Sequence, residues 1–267
     1  MRDKNKIRII AALALTVCLL YLFYGMNANN MNYLLYRRLP RLIAMAAVAI
    51  SITVSTTLFQ TMVNNRILTP DLLGYSQLYV MLQTLLVFIF GSLHISMISP
   101  YVNFGIVSLL MILFSLVIFT FILKKSKHNL YLLLLVGTVL NTLFSSISSF
   151  IQMVVDPNEF SILQNNLIAS FNNINTEIIY VAVFVLLLPL PWVLKNLNKF
   201  DVLQIGEDYA TNLGIDTQRL YTISLIVISI LISVSTALVG PIVFLGMLVV
   251  NLARMSMKSF RHKDFMK

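Results

Sequence analysis

The chain has 267 residues, 58% hydrophobic and 11% charged, with a mean hydropathy of +0.87. Soluble domains carry about 25% charged residues, so a soluble enzyme or binding module is excluded and a polytopic membrane protein is indicated. The net charge of +9 does not point to nucleic acid, because the basic residues are dispersed between apolar runs as a topology signal would be.

A bilayer-crossing helix needs roughly 20 apolar residues. In chain order the candidate spans are 7–26, 42–62, 74–93, 103–123, 129–152, 177–195, 220–239 and 241–257. The start, MRDKNKIR, resembles the basic region of a signal peptide. The apolar run after it reaches Met26 without a small-residue cleavage pattern, so it reads as an uncleaved first span. It holds Cys18, the one cysteine, so no intrachain disulfide can form.

The connection to the second span is RRLPR, 37–41, three positive charges between two uncharged runs. The second span places Thr53, Thr56, Thr57 and Gln60 at i, i+3, i+4 and i+7, one polar stripe on a helix. It could line a substrate path or pack closely against neighbouring helices. The third span begins softly after TPDLLGYSQ. The fifth carries Asn141, Thr142, Ser145, Ser146, Ser148 and Ser149; a full amide such as Asn141 is costly in lipid unless it faces protein or water. The loop 152–176 is long, Asn-rich and amphipathic over 160–171.

The second long loop, 196–219, reads as two short helices. Asp201 is a plausible N-cap for the first, which Gly206 ends. Glu207 and Asp208 open the second, where acids offset the helix dipole, and Gly214 stands as its C-terminal αL glycine. Such a pair could dock into a partner's groove or be an ordinary interfacial hairpin. The last candidate, 241–257, has a short uncharged core and could be re-entrant.

With both termini in the cytoplasm, eight crossings put all but three of the 19 Lys and Arg inside, as the positive-inside bias requires. The exceptions are Arg37, Arg38 and Arg41. No Asp, Glu, Lys or Arg lies in a span core, with Asp71 and Glu177 at span ends, which disfavours an ion-coupled secondary carrier. No P-loop is present, so this chain is not expected to bind ATP. His94, His128 and His262 fall in separate loops, so no metal site is expected; the chain is not expected to be an enzyme.

Five stretches in register resemble the permeases of ABC importers for ferric siderophores, haem and cobalamin. They are RLPR (38–41), NNRILTPDLLGYS (64–76), LLLVGTVLNTLFSSISSF (133–150), IGEDYATNLGID (205–216) and GPIVFLGMLVVNLAR (240–254), the last with a signature turn at Gly240-Pro241. The resemblance implies an all-α bundle, 1–267 as a single transmembrane permease domain, with about eight of the family's ten transmembrane helices. It implies a second permease subunit, two ATPase subunits that bind the ATP, and an extracytoplasmic siderophore-binding protein.

Carried over, Arg38 and Arg41 dock the binding protein. The 196–219 loop couples to the ATPase through Leu203, Gly206, Glu207, Asp208, Tyr209, Ala210, Leu213 and Gly214. Thr53, Thr57, Gln60, Asn141 and Ser145 are candidates for the translocation path. Val243 and the pair Val250-Asn251 depart from the family pattern, a lean toward the siderophore branch. The chain stops near the family's eighth helix, so a short form or a non-transporting remnant is the alternative to a working importer subunit.

Overall fold

In lipid, an apolar run satisfies its backbone polar groups only by forming a helix or a closed barrel, and this sequence forms helices. The computed structural model describes residues 2–25, 31–91, 100–125, 130–172 and 174–256. In chain order these form α1 (Arg2–Phe23), α2 (Met31–Val63), a 3-10 turn (Pro70–Leu73), α3 (Tyr75–Phe90), α4 (Pro100–Lys125), α5 (Leu130–Val154) and α6 (Pro157–Leu167). There follow α7 (Thr176–Leu187), α8 (Leu190–Leu203), α9 (Glu207–Asn212), α10 (Thr217–Val239) and α11 (Leu245–Ser256).

Among the described residues, five stretches are long and apolar enough to cross a bilayer: most of α2, of α4, all of α5, α7 with α8, and α10. Shorter apolar helices lie in α1, α3 and α11. The order is that of the eight candidate spans.

The centre of the bundle is α10, with 72% of its apolar window inside the protein, against 22% for α5. Apolar attraction between helices is weak in lipid, so close approach and polar contacts hold them. Ser224, Ser229 and Ser233 are fully buried on α10 and offer little bulk. The Ser224 hydroxyl is satisfied by the Leu220 carbonyl at 2.6 Å. On α2 the buried stripe Ala44, Val48, Ile52, Ser55 and Phe59 follows the helical repeat and meets α7, α10 and α11.

Four expectations need correction. RRLPR is not a loop: Arg37 to Arg41 lie inside α2, whose 33 residues run through Pro40 and rise about 50 Å. That exceeds the roughly 30 Å apolar core of a bilayer, so the charged turns extend beyond it. The third span is shorter than read, with α3 having 16 residues and about 24 Å of rise, and among the described residues the eighth starts later than read, at Leu245. Asp201 is not an N-cap; it lies in the last turn of α8, which continues from Leu190.

The fourth concerns Asp71, placed at a span end by the sequence. The segment after α2 turns back into the protein, and Thr69, Pro70, Asp71 and Ser76 share a cavity with Thr56 of α2 and Thr236 of α10. Irregular backbone is tolerated at membrane depth only where protein covers it. Here α5 supplies the cover through Gly137, where a Cβ would lie 2.8 Å from the Leu72 carbonyl oxygen and 2.9 Å from Leu73 Cα.

Candidate functional site

The sequence-predicted residues fall into three regions. At the Arg41 end, α2 carries its arginines beside the C-terminus of α1. The last carbonyls of a helix lack intrahelical donors, and Arg38 supplies them. Its Nη1 donates to Tyr21 O (3.0 Å), Leu22 O (3.0 Å) and Tyr24 O (2.6 Å), and the guanidinium lies 5.8 Å from the Tyr21 ring centroid. Arg41 reaches another element, donating from Nη2 to Asn172 O at 2.7 Å. An open concavity beside it is lined by Tyr36, Arg37, Asn172, Asn175 and Thr176.

The middle region contains the pathway candidates, and they separate into two groups. Thr57 and Gln60 are buried inside this subunit. Thr57 Oγ1 donates to Thr53 O at 2.8 Å, and Gln60 Nε2 to Arg66 O at 2.7 Å. Thr53 is half-buried beside them. Asn141 and Ser145 are half-exposed on α5, next to exposed Thr138, Thr142 and Ser146. The hydroxyls of Thr142 and Ser146 bond back to Thr138 O (3.1 Å) and Thr142 O (2.9 Å). Among the described residues this face of α5 is therefore uncharged, weakly polar and largely exposed.

Sequence reasoning missed the polar contacts of the re-entrant segment. Asp71 Oδ1 accepts from the Ser76 amide at 3.1 Å and from the Ser76 hydroxyl, placing a carboxylate at the N-terminus of α3, where the dipole favours it. Tyr75 OH and Ser229 Oγ lie 2.7 Å apart and join α3 to α10. The pattern T-P-D-x-x-G was the available signal: Pro70 opens the turn, and Gly74 closes it at φ +90°. Ser235, also at this cavity, has a buried hydroxyl with no partner.

The signature turn holds the far side of the same region. Gly240 has φ +96°, a conformation L side chains rarely adopt, and a Cβ there would meet Ala169 Cα at 2.9 Å. Ser170 N donates to Val239 O at 2.9 Å, so the turn is fastened to the loop leading to α7. A side chain at Gly246 would collide with Thr56 and Ile52 of α2.

At the Arg66 end, α9 follows the expected pattern. Glu207 and Asp208 occupy its first turn. Gly214 takes φ +82°, with Gly214 N bonding to Thr211 O (2.9 Å) and Ile215 N to Ala210 O (3.0 Å); this pair is a Schellman closure. Leu203 and Ala210 are buried anchors, while Ile205, Tyr209 and Leu213 are 67%, 63% and 69% exposed. Gly206, at φ +145°, lets α8 and α9 meet at an angle. Among the described residues no group of three or more His, Cys, Asp or Glu could hold a metal ion.

The comparisons with known proteins agree with this architecture. A petrobactin import system permease protein, YclO of Bacillus subtilis (strain 168), is 47% identical over 262 residues, covering 98% of this chain and 82% of that protein. The petrobactin import system permease protein FatC of Bacillus anthracis is 34% identical over 233 residues, 85% of this chain and 64% of its own length. The vitamin B12 import system permease protein BtuC of Vibrio parahaemolyticus is 28% identical over 238 residues, covering 88% and 69%.

A solved structure described as an inward-facing metal-chelate type ABC transporter shares the fold. It has a TM-score of 0.81 at 20% identity, covering 99% of this chain and 84% of that one. The family model of the FecCD transport family matches residues 6–266. The chain belongs to the FecCD transport family and is a multi-pass membrane permease of the ABC-importer type.

Proposed function

We propose that this chain is the permease subunit of an importer that carries iron–siderophore complexes across the cytoplasmic membrane, driven by ATP hydrolysis on partner ATPase subunits. The observation that carries the cargo class is the 47% identity to a petrobactin permease along 98% of the chain. The uncharged polar face of α5 supports it physically. A chelated ferric ion presents its ligand shell and not its bare charge, so a path of amides and hydroxyls suits it better than buried carboxylates.

In this reading both termini are cytoplasmic, and the Arg41 end meets the extracytoplasmic binding protein. Arg41, with the outward edge of Arg38, faces acidic side chains there. An arginine has five N–H donors, so the three carbonyl bonds from Nη1 of Arg38 leave the other edge of its guanidinium for a carboxylate. Such exposed pairs are each worth about 0–1 kcal/mol and act mainly on orientation and association rate. Tyr209 and Leu213 enter the ATPase surface, and the α5 face of a second permease subunit completes the path. A vitamin B12 cargo is the second reading, favoured by the BtuC likeness.

The test is uptake in cells lacking this gene, complemented with the wild-type chain or with Arg41→Glu. Radiolabelled ferric catecholate, ferric hydroxamate and cobalamin are supplied separately. Restored uptake of a ferric chelate, reduced by Arg41→Glu at unchanged membrane level, supports the reading. Restoration of cobalamin uptake alone moves the cargo to the second reading, and no restoration of any cargo overturns both.

A further inference from the structure

Ser51, Thr57 and Thr61 of α2 turn their hydroxyls back to carbonyls of their own helix, at 2.7, 2.8 and 2.8 Å. Three other threonines do not. Thr69 stands before the 3-10 turn without a side-chain capping bond, and among the described residues the hydroxyls of Thr56 on α2 and Thr236 on α10 have no protein partner either. Yet Thr56, Thr69 and Thr236 are only 1%, 8% and 7% exposed. Buried polar groups are hydrogen-bonded as a rule, and leaving one unpaired is costly.

All three line one cavity of about 20 Å³. Asp71 and Ser76 complete its polar wall, and Gly240, Ile242 and Val243 of the signature turn close it. The re-entrant segment, α2, α10 and the turn therefore meet at a single polar space. Among the described residues, the side chains of 69–74 make no hydrogen bond to α2 or α10; the bonds of Asp71 go to Ser76 of its own segment.

Size and chemistry decide what the space takes. A water needs roughly 10–15 Å³ and two to four polar partners, so the cavity admits one water and no larger solute. A cation suits it less well. Asp71 Oδ1 already accepts from the Ser76 amide and hydroxyl at the N-terminus of α3, where the dipole answers its charge. The other polar groups are hydroxyls, which donate as well as accept. A water can serve both needs, and a cation offers a hydroxyl proton nothing. Ser235 belongs to the wall, but its own hydroxyl is sealed within the protein and takes no part.

We propose that this cavity is the site of one ordered water, shared by Thr56, Thr69, Asp71 and Thr236, which ties the re-entrant segment to α2 and α10 beside the signature turn. The site lies within the subunit and depends on neither the cargo nor a partner chain.

The experiment uses the full-length chain in detergent and reads thermal unfolding of Thr69→Val, Thr236→Val and the double variant. Valine keeps the shape and the extended backbone that Thr69 adopts at φ −119° and ψ 155°, and it deletes only the hydroxyl. Each single variant is expected to lower Tm. The pair is expected to lower it by less than the sum of the two, because a shared water is lost once and groups sharing a partner are non-additive. Thr236→Ser, which retains a hydroxyl, is expected to restore the non-additivity with Thr69→Val. Crystals of the wild-type chain grown from lipidic phase are expected to show one density peak within hydrogen-bond distance of Thr69 and Thr236. Additive shifts, no shift in either single variant, or a cavity without density would each overturn the proposal. So would stabilisation by sodium chloride over choline chloride at equal ionic strength that Asp71→Asn abolishes, since the occupant would then be an ion.

Discussion

Arg38 Nη1 lies 2.6 Å from the carbonyl oxygen of Tyr24, so a residue of α2 closes the end of α1. The helix it closes is otherwise loosely held, with nearly every residue from Arg8 to Leu20 exposed. Loss of a cation at a helix C-terminus costs up to about 2 kcal/mol in favourable geometry. Arg38→Ala is therefore expected to loosen α1 by about 1–2 kcal/mol.

Cys18, the chain's one cysteine, lies exposed on α1 and reports this directly. A spin label there should gain mobility in Arg38→Ala and stay unchanged in Arg41→Ala, whose hydrogen bond goes to Asn172. Equal label mobility in the two variants would show that Arg38 does not hold the helix.

Gly137 gives a second prediction. The atoms a Cβ would meet are mostly backbone, Leu72 O and Leu73 Cα, and backbone cannot step aside as a side-chain tip can. Overpacking of this kind costs about 1–3 kcal/mol, so Gly137→Ala should lower Tm measurably. At Gly105 of α4 no atom lies within 4 Å of the Cβ position, and the same substitution should be neutral or stabilising by up to about 1 kcal/mol. Paired thermal unfolding of the two variants decides it; similar shifts would mean that the re-entrant segment does not press on α5.

These two glycines also show what the sequence could and could not reveal. Run lengths and charge placement gave the order of the helices, because lipid leaves an apolar stretch no other regular form. The turn chemistry of α9 was legible because acids at a helix start and a glycine after its last apolar residue are local signals. The course of 64–76 was not legible: a segment with Thr, Pro, Asp and Gly reads as a surface loop, and only the smallness of Gly137, far along the chain, admits it to the interior. Polarity likewise grouped Thr57 and Gln60, a stripe by their spacing, with Asn141 and Ser145 of another helix. Periodicity identifies a shared helix face but not whether another helix covers it, and α10 and α11 cover that of α2.

Two serines on α10 are expected to behave oppositely. Ser229 bonds Tyr75 OH at 2.7 Å, and its loss would leave the buried phenol only Ser115 as a side-chain partner. Removing one partner of a buried pair costs about 1–3 kcal/mol. The Ser235 hydroxyl is buried without a partner, so deleting it removes a desolvated group and should be neutral within about 0.5 kcal/mol. Thermal unfolding of Ser229→Ala and Ser235→Ala checks this; equal destabilisation would mean that the Ser235 hydroxyl is satisfied in the membrane.

The last prediction separates coupling from folding at α9. Tyr209 and Leu213 lie four residues apart on the same face of the segment, both more than 60% exposed, so neither contributes much to this chain's own core. Tyr209→Ala with Leu213→Ala should leave the stability within about 0.5 kcal/mol of wild type, as surface changes usually do. If these side chains enter the ATPase surface, losing two apolar anchors at an interface centre, each worth about 2 kcal/mol or more, should lower chelate uptake at least tenfold. Ala210, fully buried between them, gives the contrast: Ala210→Leu should lower Tm and uptake together. Uptake that survives the double exposed substitution would show that α9 is not the point at which the ATPase engages.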